Sequence, residues 1–192
     1  MKVIGLAGRA GCGKSAVAQY LARTPGIEWV DLDRVAWDTY AAGTPTFARL
    51  LAAFGNCIVD DSGQIDRRQL AAAAFANLDS QDTLNAIVHP AVSAALGMIL
   101  GQHRQKGTEI LLVEGALLAS SPHVDRSIYD LILWLDAAAE VRGERLRAIG
   151  RGAHATRGDG ISPSGDYVAI SAAGTIEQVA ERVLRAIAGN PG

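Results

Sequence analysis

Cysteine is scarce in this 192-residue chain: Cys12 and Cys57 are its only two. Two thiols placed so far apart build neither a disulfide framework nor a zinc-binding pattern. Lysine is nearly as rare, with Lys2, Lys14 and Lys106 set against fifteen arginines. That bias is compositional and carries no function by itself. An excess of one charge is missing too. The net charge is -2, so no basic field draws nucleic acid to the surface. No uninterrupted apolar run reaches the ~18 residues of a membrane-span candidate. The N-terminus opens directly on a strand pattern, without the charged and apolar regions of a signal peptide. These absences point to a cytoplasmic protein with neither nucleic-acid nor membrane partners. What is present is an ordinary globular composition, 49% hydrophobic and 20% charged, in a chain as long as one domain or one domain with a small insertion.

Short apolar runs alternate with helical patterns. Residues 3–7 (VIGLA) form a first strand and run straight into glycines; a helix follows over 14–23. A second strand spans 28–32. Residues 34–106 hold no convincing strand except 57–59 and read as helices near 34–41, 45–54, 67–76, 80–87 and 91–105. Continuous apolar runs at 110–113 and 130–135 suit fully buried parallel strands. A helix over 137–149, a strand over 167–170 and a helix over 176–187 complete the chain. This order predicts an α/β fold with a parallel five-stranded sheet and right-handed crossovers. The long helical stretch is too large for one crossover. It is read as an inserted subdomain, so 1–33 and 107–192 form the core and 34–106 the insert. Residues 150–165, rich in Gly, Ser and Arg, read as a short lid loop within a lid region of about 145–165.

The strongest chemical signal is GRAGCGKS at residues 8–15. Gly8, four intervening residues and then Gly13-Lys14-Ser15 satisfy the Walker A pattern, between a buried strand and a helix as that pattern requires. Gly8, Gly11 and Gly13 let the backbone approach phosphate oxygens without a Cβ. Backbone N–H groups of Cys12 to Ala16 then converge on the anion at a helix N-terminus. Cys12 is simply a small residue that fits this loop. Lys14 is expected to neutralise β and γ oxygens of ATP, and Ser15 to ligate Mg2+.

Asp31 and Asp33 follow the second strand, at the edge where open α/β sheets bind ligands. Asp33 is a candidate general base, or a carboxylate that orients Mg2+ through water; the competing reading is a helix N-cap. Glu114 ends the third strand and can hold Mg2+ through water, or else begins a loop facing solvent. Arg142, Arg145, Arg147, Arg151 and Arg157 cluster at the helix end and the loop after it. Guanidinium groups match phosphate oxygens, although a solvated face paired with Glu140 and Glu144 gives the same spacing. Arg145 and Arg151 are the first choices. His103, His123 and His154 stand alone and are read as structural or surface residues.

Taken together these segments resemble the dephospho-coenzyme A kinase family. The resemblance rests on GLAGRAGCGKS at 5–15, VDLD at 30–33, GTP at 43–45, DSGQIDRRQL at 61–70, LNAIVHP at 84–90 and the 170–179 stretch with Gly174. It implies a three-layer P-loop fold and ATP-dependent phosphorylation of the 3′-hydroxyl of dephospho-coenzyme A. It also implies Asp33 as base and the insert as the acceptor site. His89 then acquires a substrate-side role, against the plainer reading of His89-Pro90 as a helix break. Three segments depart from the family pattern. Residues 116–120 read ALLAS where P-L-L-F-E is usual, the lid is shorter, and residues 171–174 read SAAG instead of D-N-S-G. A kinase of another small nucleoside or nucleotide, or a non-catalytic nucleotide-binding relative, is therefore also open. So is a monomer or a small homo-oligomer, because apolar residues on the inserted helices can line a pocket or a subunit contact.

Overall fold

The computed structural model describes residues 1–116, 118–119, 124–152 and 162–189. Two compact units divide the chain: Met1–Asp31 with His103–Gly192, and Leu32–Gln102.

The first unit is built on a sheet of β1 (Lys2–Gly8), β2 (Ile27–Asp31), β3 (Ile110–Glu114), β4 (Leu131–Asp136) and β5 (Val168–Ser171), in the order β2-β3-β1-β4-β5. Every pairing is parallel, as the strand–helix alternation predicts. The three central strands are buried along almost their whole length, which is why they read as unbroken apolar runs. Helices α1 (Lys14–Leu21) and α7 (Ile176–Gly189) cover the sheet. Val17 and Leu21 of α1 share a core with Val179, Val183 and Ile187 of α7 and with Ile4, Leu6, Leu112, Leu133 and Leu135 of the strands. The register sets the carboxyl ends of neighbouring strands side by side: Asp31 pairs with Glu114, Glu114 with Leu6, and Leu135 with Gly8. The first loop thus emerges between an acid-bearing strand and β4.

The second unit holds α2 (Leu32–Thr39), α3 (Pro45–Phe54), α4 (Arg67–Ala74) and most of α5 (Leu78–Lys106). Its core is Leu50, Ile58, Leu70 and Ile87, with Tyr40, Phe54, Leu84 and Val88 packed around them. Two helix starts follow from local chemistry. Thr44 Oγ1 accepts from Phe47 N ahead of Pro45, and Asp66 accepts from the backbone N–H groups of Arg68 and Gln69.

Several expected elements differ. Residues 57–59 do not form a strand: 56–58 make a single 3-10 turn, and Val59 makes only an isolated antiparallel bridge with Ile65. The separate helices expected near 80–87 and 91–105 are one helix, α5, and Pro90 lies inside it. Proline removes one N–H and crowds the carbonyl four residues back, yet Ile87, Leu96 and Leu100 on either side remain buried. Packing on both flanks outweighs the local break. As one element, α5 has the length and apolarity of a membrane-crossing helix, with a mean hydropathy of 1.6 over 18 residues. That is a statement of length and composition, which a reading of uninterrupted apolar runs does not reveal.

Candidate active site

The glycine loop takes its shape from backbone that only glycine adopts cheaply. Gly8, Gly11 and Gly13 all have positive φ, at 145°, 82° and 92°. A Cβ at Gly8 would collide with the Leu135 carbonyl oxygen, and one at Gly11 would come within 2.6 Å of the Arg142 carbonyl oxygen. Gly13 is the N-cap of α1 and brings no side chain to cap it. The N–H groups of the first turn therefore stay available to an external anion. A Ser, Thr, Asp or Asn at the N-cap would fill that place with its own oxygen. Ser15 and Ala16, in this turn, are exposed.

Lys14 folds back over the loop. Its Nζ donates to the carbonyls of Gly8 at 2.9 Å and Arg9 at 3.4 Å, and lies 4.0 Å from Cys12 Sγ. Ser15 Oγ donates to Glu114 Oε1 at 2.7 Å. Glu114 is 6% exposed, so it is not the solvent-facing acid that the alternative reading required. Hydroxyl and carboxylate are the hard oxygen donors that Mg2+ takes. Among the described residues no group of three or more His, Cys, Asp and Glu gathers around a point. A cation here would need nucleotide phosphates to complete its shell, the usual arrangement for Mg2+ in phosphoryl-transfer enzymes. Cys12 is buried beneath the loop, and desolvation pushes its thiol up; Lys14 opposes the shift and Glu114 adds to it.

The arginines of α6 (Ala139–Ala148) brace this loop from below. Arg142, 3% exposed, donates from Nη1 to the Ala10 carbonyl at 3.3 Å. Arg145 donates to Cys12 O at 3.3 Å, and to Ala172 O and Gly174 O at 2.9 and 3.4 Å. These two are not members of a solvated helix face. Arg145 ties the glycine loop to the β5–α7 turn, where Gly174 has φ 96° and a Cβ would strike the Gln178 side chain. Arg151 lies just beyond α6. Its N–H bonds Leu146 O at 2.7 Å while Gly150, at φ 71°, bonds Arg147 O at 3.0 Å. This Schellman closure fixes the backbone of Arg151 and leaves its side chain exposed. Arg157, His123 and His154 lie outside the described residues, as does much of the expected lid.

Sequence reading passed over Arg9 and Arg182. Arg9 pairs with Asp136 at 3.5 Å. Arg182 donates to the carbonyls of Ser171 and Ala173 at 2.8 and 2.7 Å. No motif marks either one, because their partners are strand-end groups that the sheet brings near.

Asp33 and His89 belong to the second unit. Asp33 is exposed, and it is not the residue before α2 but part of its first turn, where the helix dipole favours a carboxylate. The N-cap reading therefore does not describe it. Tyr40, just past α2, has its phenol pushed up to about 12 chiefly by burial; Arg67 opposes that and the Asp33 charge adds to it. Arg67 lies over the Trp37 ring, 3.8 Å from its centroid. His89 is half-buried in the middle of α5.

The family model for dephospho-CoA kinase matches residues 2–155. A dephospho-CoA kinase of Symbiobacterium thermophilum is 32% identical over 188 residues, covering 97% of this chain and 73% of its own. A crystal structure from Thermus thermophilus superposes with a TM-score of 0.79 at 25% identity, over 100% of this chain and 98% of that one. A Campylobacter jejuni dephospho-CoA kinase gives 0.61 at 14% identity, over 98% and 96%, a likeness of fold.

Proposed function

This chain belongs to the dephospho-CoA kinase family, and we propose that it moves the γ-phosphoryl group of ATP to the 3′-hydroxyl of dephospho-coenzyme A. The observation that carries the reading is the phosphate cradle. An uncapped helix N-terminus, Lys14 and the Ser15–Glu114 pair share one strand edge in a chain whose family acts on this acceptor. The bond between the γ-phosphorus and the β-bridging oxygen breaks. A bond from the acceptor oxygen forms, and ADP leaves. Lys14 is released from its loop carbonyls to the β and γ oxygens as charge spreads over the transferring group. Arg142 and Arg145 hold the loop carbonyls, so its N–H groups point at phosphate without rearrangement. Ser15 and Glu114 would hold Mg2+, which supplies charge neutralisation across the β and γ phosphates. Asp33 takes the acceptor hydroxyl proton. His89 contributes to the acceptor side from α5, in the helical unit that we assign to acceptor binding. Arg151, anchored by its backbone, adds a guanidinium near the donor.

The test is coupled ADP release with ATP, Mg2+ and dephospho-coenzyme A, with the position of the new phosphate read by mass spectrometry. Product phosphorylated at the 3′-oxygen is expected. Absence of ADP release above background from protein that still binds ATP would overturn the assignment. A kinase for a different nucleoside or nucleotide is the second reading, favoured by ALLAS at 116–120 and SAAG at 171–174. An acceptor screen in the same assay separates the two.

A further inference from the structure

On α2, Asp33 and Trp37 are four residues apart, and Tyr40 follows three residues later. That spacing sets the carboxylate and the indole on one face of α2, with Tyr40 in the turn that ends it. Tyr40 packs against the core of the helical unit, which fixes that end of α2, while Trp37 keeps 43% of its surface exposed. From the neighbouring helix, Arg67 lays its guanidinium over the indole, 3.8 Å from the ring centroid. It does so as the first residue of α4, whose start is locked by Asp66. Leu70, one turn along α4, is buried in the same core that holds Tyr40. Both ends of the stack are therefore held by packing. An exposed arginine normally ranges over many rotamers, whereas this one lies over the face of Trp37, a residue one helical turn from Asp33.

A guanidinium stacked by one face keeps its edge N–H groups free for a planar, bidentate partner. No carboxylate forms a salt bridge with Arg67 among the described residues. The feature a nucleotide acceptor presents beside its ribose hydroxyls is a phosphate ester. We propose that the Arg67 guanidinium, held flat on Trp37 one helical turn from Asp33, receives the phosphate oxygens of the acceptor, with Trp37 as its positioning residue. The pair thereby selects an acceptor carrying a 5′-phosphate ester on the same ribose whose hydroxyl reacts. This inference rests on the proposed kinase reading and adds the group that recognises the acceptor.

Steady-state kinetics test it, with dephospho-coenzyme A and ATP each varied. Arg67→Ala is expected to raise the KM for dephospho-coenzyme A about tenfold or more with kcat changed less than about twofold, the pattern of lost uniform binding. Trp37→Ala should raise it about two- to fivefold, and Trp37→Phe, which keeps an aromatic face, should restore most of that. The dependence of this KM on ionic strength should flatten in Arg67→Ala. The KM for ATP should stay unchanged. Loss of kcat with an unmoved acceptor KM, a rise in the KM for ATP instead, or Trp37→Phe as impaired as Trp37→Ala would overturn the inference. If Arg67→Ala fails to fold, Arg67→Lys decides. It keeps the charge but loses the fork, so an unchanged acceptor KM in it and in Trp37→Ala sinks the proposal. A wild-type protein inactive on dephospho-coenzyme A defeats the kinase reading itself, an outcome separate from all of these.

Discussion

Individual residues in the glycine loop have little freedom to change. Gly11→Ala needs a Cβ at φ 82° and within 2.6 Å of the Arg142 carbonyl oxygen. It should cost at least about 1–2 kcal/mol in stability and most of the nucleotide affinity, read by denaturant unfolding and ATP titration. Lys14→Ala should lower kcat by roughly 10²–10³-fold while the fold persists, because the lost charge acts on the transferring group. The two thiols should behave differently. Cys57 is exposed, and Cys12 is buried with its thiol pushed up. Alkylation under native conditions should therefore modify Cys57 quickly and reach Cys12 only on unfolding. Mass spectrometry of the labelled protein counts the adducts, and rapid double labelling would contradict the buried placement.

Among the elements, α5 is the one whose sequence and structure disagree most. Its Pro90 interrupts hydrogen bonding in a helix that continues to Lys106. Pro90→Ala restores one N–H and removes the ring, so it should stabilise the protein by about 1–3 kcal/mol. His89 adjoins Pro90 in α5, so a backbone shift at the substituted site should also raise the acceptor KM. Denaturant midpoints and kinetics on one preparation test both parts. The short helices α2 and α4 show the opposite relation. Neither is long enough to be stable alone, yet each carries a residue whose placement depends on the shared core.

Across the whole molecule, ligand and pH should act through groups already named. Bound ATP should raise Tm with concentration, and Lys14→Ala should weaken that response, since a ligand stabilises by mass action. Alkali should do the reverse. The Tyr40 phenol sits near 12 in the fold against an ordinary 10.0, and burial raises Tyr129 in the same direction. Both favour the protonated form. Their contribution to stability is complete below the unfolded value and is lost as pH climbs from about 10 through the folded values. Tyr40→Phe should therefore reduce the loss of stability measured by urea unfolding between neutral pH and about pH 11. An unaltered pH dependence would mean that Tyr40 titrates as in the unfolded chain.

The sequence by itself determined what short-range chemistry encodes. Strand–glycine–helix punctuation announces the phosphate loop, buried parallel strands announce themselves as apolar runs, and the spacing of GRAGCGKS marks a nucleotide-phosphate site. These signals are local, so one stretch of chain suffices to read them. The tertiary structure alone decided which distant groups meet. Glu114 meets Ser15 because strand register sets β3 beside β1. Arg142 and Arg145 reach the loop carbonyls because α6 packs beneath it. Pro90 stays in the helix with Ile87 buried on one side of it and Leu96 and Leu100 on the other. The Arg67–Trp37 stack joins two helices separated by almost thirty residues of chain. Such pairings are settled by packing over long sequence separations, for which no spacing rule exists in the chain.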